Sequence, residues 1–222
     1  MSEKILFDLL APGSRRFLRP VFSHTSQQTG AGSGAETLDD LAAEAADCSR
    51  CVLRNSASQV VFGQGNPRAA LMFIGEGPGA EEDKQGQAFV GAAGQLLDKI
   101  LAAIDLSREE VYIANIVKCR PPENRTPNAK EAANCLPYLT QQIALIQPKI
   151  IVCLGSVAAQ TLIDPHQKIS QMRGTWHVKN GIRYIATFHP AALLRDPSRK
   201  RPVWEDMKKV RDAYQKISGR RG

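Results

Sequence analysis

No stretch of this chain is apolar for long enough to cross a bilayer; its longest hydrophobic runs are short and strand-like. The amino-terminal segment MSEKILFDLLAPGSRR mixes its charges and carries an apolar run too brief for a secretory signal. No internal repeat is visible. Acidic residues are outnumbered, 22 against 29 basic, which leaves a formal net charge of +7. Such an excess suits a polyanionic partner and says nothing about fold. An even set of cysteines is also missing, because the chain has five. The expectation is a cytoplasmic protein with reduced thiols, whose cysteines bind a metal or cluster in preference to forming disulfides.

What is present fits one good core, hence a single domain with an extension. Residues 1–36 grow rich in Ser, Gln, Gly and Thr (SHTSQQTGAGSGAET) and read as a disordered extension. Arg15, Arg16 and Arg19 offer loose phosphate contacts there. The folded domain is expected over 37–222, starting with a helix that runs from Thr37 into Cys48.

Four β-rich segments follow: Ala70–Gly75, Val111–Lys118, Lys149–Gly155 and Arg183–His189. Most are continuously apolar, as strands covered on both faces should be. Helical patterns lie between and after them, at Gly91–Ile104, Ala129–Ile146, Ser156–Ile163 and Val203–Ile217, with a basic Arg220-Arg221 tail. An Asn180-Gly181 turn between β-prone segments predicts a hairpin leading into the last strand. This alternation predicts an α/β fold, a three-layer α/β/α sandwich around a central, mainly parallel, four-stranded sheet.

In open parallel sheets ligands bind beyond the carboxyl ends of the strands. The residues leaving the four strands are Gly75-Glu76-Gly77-Pro78-Gly79, Lys118-Cys119, Gly155-Ser156 and His189-Pro190. These loops are expected to converge on an active site.

Cys48 and Cys51 form a C-x-x-C pair, while Cys119 and Cys135 lie far downstream, with fifteen residues between them. Four thiolates suit zinc or an iron–sulfur cluster equally on ligand type. Dispersed thiolates with one compact pair fit the larger cluster better, and ordinary buried cysteines are the plain alternative. Cys153, inside the apolar run IIVCLG, reads as a core residue.

The GEGPGA segment after the first strand nearly matches a dinucleotide-binding loop. Pro78 and the polar stretch Glu81–Gln87 then separate it from the next predicted helix, which argues against a nucleotide cofactor. The glycines let backbone amides approach a ligand, with Glu76 in the same space, or simply make a turn. Asn115 falls mid-strand, where a buried amide needs a partner: a neighbouring loop, or a ligand edge with a matching N–H and C=O pair. His189 precedes Pro190 where the last strand leaves the sheet. The following Ala-Ala-Leu-Leu-Arg reads either as core or as a leucine wedge beside a phosphate anchor.

Taken in order, CSRC (48–51), VVFGQGNP (60–67), GEGPGAEEDKQGQAFVGAAGQLLDKIL (75–101), VYIANIVKCRPPENRTP (111–127), Cys135 and FHPAALLR (188–195) resemble the family 4 uracil-DNA glycosylases. The resemblance runs from about Leu38 to about Ile217. It implies a DNA-repair hydrolase that flips uracil out of DNA and cleaves its N-glycosidic bond, leaving an abasic site. It also implies a structural [4Fe–4S] cluster on Cys48, Cys51, Cys119 and Cys135. Phe89 would stack on the base, Asn115 would bond its edge and His189 would face its O2. Glu76 and Gly77 would line the sugar side, Glu76 orienting water or steadying the sugar cation, and Glu82 would exclude a thymine methyl. Leu193 would plug the vacated stack, with Arg195, Arg199, Lys200 and Arg201 on phosphates. The implied partner is uracil-containing DNA, single- or double-stranded, met by a monomer with no membrane association. A uracil-DNA binder that does not cleave, or that traps DNA covalently with the same pocket, is the alternative.

Overall fold

The computed structural model describes residues 35–219. Arg15, Arg16, Arg19, the Arg220-Arg221 tail and nearly all of the expected extension lie outside the described residues. The first described helix, α1 (Leu38–Ala46), is capped by Thr37, whose side chain accepts from Asp40 N. A single turn, α2 (Leu53–Ser56), follows the C-x-x-C pair.

Six strands form one sheet, not the four expected. They are β1 (Gln64–Gly65), β2 (Leu71–Gly75), β3 (Tyr112–Asn115), β4 (Ile150–Leu154), β5 (Trp176–Lys179) and β6 (Ile182–Thr187). Their order is β1-β3-β2-β4-β6-β5. The inner pairs β3·β2, β2·β4 and β4·β6 are parallel, and β1 and β5 join antiparallel at the edges. The four expected segments therefore supply the parallel centre, where burial on both faces demands unbroken apolar sequence. The edges have weaker signals: β1 has two residues, and β5 is the first arm of the expected hairpin. Asn180 and Gly181 turn that hairpin with φ of 51° and 78°, as a tight primed turn requires.

Side chains of successive strand residues enter opposite cores. Met72, Ile74, Tyr112, Ala114, Ile151 and Cys153 pack with α1, α5 (Ala129–Ile146), α6 (Ser156–Leu162) and α7 (Ile169–Met172). Leu71, Phe73, Ile113, Val152 and Ile185 pack with α4 (Ala92–Ala102) and, beyond β6, with α8 (Pro190–Arg195) and α9 (Lys200–Ser218). This is the expected three-layer sandwich. Cys153 is fully buried in the first core.

A helix also forms where sequence reading placed only a polar loop. α3 (Ala80–Gln85) starts directly after Gly79, so the glycine segment does run into a helix. Its amino-terminal amide at Gly79 is taken by the chain's own Glu82, whose Oε2 accepts it at 3.1 Å.

Candidate functional site

The chain passes from one side of β2 to the other between β3 and β4, the switch point at which open α/β sheets bind ligands. A cleft of about 420 Å³ lies past the strand ends there, within the size range of small-molecule sites. Glu76 and Gly77 reach it from the end of β2, Asn115 from the last position of β3, and His189 from just beyond β6. Phe89 enters from the segment between α3 and α4, and Arg195 from α8. The first and last of the four expected loops thus converge. Gly155, after β4, backs His189, since a Cβ there would stand 3.0 Å from His189 Cβ. Lys118 and Cys119 turn elsewhere.

Asn115 closes β3 instead of standing mid-strand. It is 1% exposed, and its Oδ1 is buried with no hydrogen-bond partner among the described residues. An unpaired buried acceptor costs about 1–3 kcal/mol, so this atom is set for a donor that the protein does not supply. His189 Nδ1 accepts the N–H of Ala191 at 3.1 Å, which leaves the ring proton on Nε2. Burial, reinforced by the charge of Arg195, lowers its pKa to about 4, so the ring is neutral at pH 7. The Phe89 ring lies 5.5 Å from that of His189 at 30°. Burial raises the Glu76 carboxyl above its ordinary 4.5, opposed by a hydrogen bond from Thr126 and by Arg195.

Two expected site residues are also held by the protein itself. Glu82 is spent on backbone: besides Gly79 N, its Oε1 accepts from Val90 N at 2.9 Å and Gly91 N at 2.8 Å. It lines the cleft and shapes the loop carrying Phe89. Leu193 is only 2% exposed, within the core under α8, so it is not a free wedge; its neighbour Leu194 is 51% exposed. Helical spacing separates the two, because adjacent residues on a helix point about 100° apart. Arg195, Lys200 and Arg201 are exposed, whereas Arg199 pairs with Asp196 at 3.0 Å and lies over Phe188.

Asn124, Arg125 and Thr126 also line the cleft and were not singled out from sequence. Their signal is the proline bracket, Pro121-Pro122 and Pro127, around a loop that leaves a central strand. Glu131, nearly buried, pairs with Arg125 at 2.7 Å and anchors that loop to α5.

On the neighbouring side, Cys48, Cys51, Cys119 and Cys135 line one small cavity together with Lys118 and Tyr138. Cys119 and Cys135 are buried, and burial with mutual repulsion pushes the Cys119 thiol up to about 12. Backbone amides of Arg50 and Lys118 point at Cys48 Sγ (3.5 Å) and Cys135 Sγ (3.2 Å). Among the described residues no group of three or more His, Cys, Asp or Glu side chains is arranged to hold a metal ion. All four thiols border this one cavity. No helix among the described residues is long and apolar enough to cross a membrane.

Residues 62–208 match the family model described as the uracil DNA glycosylase superfamily. The chain is 42% identical over 185 residues to a type-4 uracil-DNA glycosylase of Archaeoglobus fulgidus, covering 79% of this chain and 92% of that protein. It is 42% identical over 187 residues to the type-4 enzyme of Thermotoga maritima, covering 82% and 96%. A third relative, the type-4 enzyme of Sulfurisphaera tokodaii, is 41% identical over 186 residues, covering 80% and 84%.

Proposed function

The chain belongs to the type-4 uracil-DNA glycosylases, and on that footing we propose that it hydrolyses the N-glycosidic bond of uracil in DNA through the cleft just described. The observation that carries the reading is the orphaned Asn115 Oδ1 at the floor of a cleft walled by Phe89 and His189. Uracil presents an N–H donor beside a C=O acceptor, the complement of one carboxamide. Cytosine presents the reverse pattern and would leave Asn115 mispaired, which is a strong basis for rejection.

A base inside a duplex cannot reach this cleft, so it is flipped out or taken from single strands. Phe89 then stacks on it. Departing uracil carries the bonding electron pair as an anion, and the deoxyribose is left cation-like. His189 is suited to the anion: the neutral ring donates Nε2–H toward the uracil O2 without transferring its proton. Such a fixed donor strengthens as charge develops and needs no reorganisation. Glu76, as carboxylate, faces the sugar side, where it steadies the cation and orients the water that adds to C1′.

The donor set of the second cavity fits a [4Fe–4S] cluster held by Cys48, Cys51, Cys119 and Cys135. Burial raises the Cys119 and Cys135 thiols, and the iron of a cluster would offset that by binding the four side chains as thiolates. One compact C-x-x-C pair with two dispersed thiols bordering the same cavity suits a polynuclear centre better than a structural zinc site with two compact pairs. Bound there, such a cluster would cross-link the C-x-x-C turn, the exit of β3 and α5 through these four side chains. Cytoplasmic residence, with DNA as the partner, completes the reading.

The test is uracil release from uracil-containing oligonucleotides. Asn115→Ala and His189→Ala should each lower kcat by about 10²–10³, as for loss of one charge-stabilising donor. Undiminished release from both variants would remove the cleft from the reaction. Tight binding without any release by the unaltered protein would favour a non-cleaving binder.

A further inference from the structure

Phe89 has a φ of +56°, in the left-handed region that a side chain with a Cβ seldom enters. Such a conformation persists only where the surroundings over-determine it. Here the chain is gripped from two sides. Glu82 takes the amides of Val90 and Gly91. Arg108, from the segment between α4 and β3, takes the carbonyls: Nη1 donates to Ala88 O at 3.0 Å and Nη2 to Phe89 O. The guanidinium is itself aimed by Asp98 on α4, whose Oδ1 accepts from Nε at 2.5 Å. Gly94 leaves the room this demands, since a Cβ there would overlap the Phe89 carbonyl.

We propose that Arg108 is a positioning residue for base recognition: its two-pronged hold on the Ala88 and Phe89 carbonyls keeps Phe89 left-handed and its ring in the cleft beside His189. Relaxation to negative φ would redirect the Cα–Cβ bond and carry the ring away from that wall. A guanidinium suits the task because its planar fork serves two carbonyls at fixed separation while a third N–H meets Asp98. Lysine keeps the charge and loses the fork. Arg108 touches no substrate in this scheme and acts through Phe89. The inference rests on Phe89 being the stacking residue.

A double-mutant cycle separates the two ideas. Phe89→Leu, Arg108→Met and the pair together are assayed for uracil release from a single-stranded oligonucleotide, for inhibition by free uracil, and for thermal unfolding. Arg108→Met should lower kcat/KM about tenfold and weaken free-uracil inhibition by a similar factor, yet add nothing in the Phe89→Leu background. Multiplying losses in the double variant, or unchanged uracil inhibition in Arg108→Met, overturns the positioning role while stacking by Phe89 stands. Full uracil affinity in Phe89→Leu overturns the stacking reading and this proposal with it. If Arg108→Met does not fold, Arg108→Lys carries the same cycle with the same outcomes.

Discussion

Gly75 ends β2 directly under the ring of Phe89: a Cβ there would stand 2.5 Å from Phe89 Cζ and 2.5 Å from Asn115 Oδ1. One absent methyl group thus lets the ring and the amide close on the same space. Gly75→Ala should displace both and reduce uracil release at least about tenfold, at a stability cost of about 1–3 kcal/mol from overpacking. Release rate and thermal midpoint, measured together, check it. Wild-type turnover in this variant would mean that the ring and amide do not act at close quarters.

The pH profile should have one acid limb, and it belongs to Glu76. Burial raises that carboxyl above 4.5, so it takes up its proton first as pH falls. His189 is held near 4, so its imidazole is still neutral when Glu76 is neutralised. Activity should therefore fall below neutrality at a pH above 4.5, and Glu76→Gln should lower the plateau and flatten the limb. A limb that survives in Glu76→Gln would assign it to another group.

The two leucines of α8 should part company. Leu193→Ala empties a core site and should cost about 2–5 kcal/mol in unfolding experiments. Leu194→Ala touches an exposed side chain, so stability should hold. Its effect should appear on duplex substrate, with release about tenfold slower, and hardly at all on single strands, where no stack needs filling. Equal loss on both substrates would argue against the exposed Leu194 filling the stack in place of the buried Leu193.

Thiol replacement should divide the five cysteines four to one. Serine at position 48, 51, 119 or 135 should abolish visible absorbance at ~400 nm and iron content. Cys153→Ala should keep both, because that side chain is sealed in the core facing α6. Iron lost from the Cys153 variant would show that the ligand set is different.

Much of this architecture was legible in the chain. The runs LMFI, YIA and IIVCL are apolar without alternation, and every residue of those strands is buried. Asn128 followed by Glu131 marks the start of α5, where both halves of a capping box form. The edges were harder, since β1 is a two-residue strand whose pairing with β3 depends on where the loop before β2 falls. Helix α3 was hidden for another reason. It buries little apolar surface, so hydrophobic period is silent there, and only its acid-rich first turn and the left-handed Gly86 at its end give it away.

The sequence by itself determined the layer order, the parallel strand centre and the residue types gathered at the strand tips, because burial on both faces and capping are local demands. Tertiary structure alone decided which of two adjacent leucines faces solvent, that Glu82 is consumed by three backbone amides, and that Arg108 holds the Phe89 turn. Those outcomes depend on what occupies the far side of each group. Arg108 and Phe89 stand 19 residues apart, and no spacing rule links a guanidinium to a carbonyl at that distance.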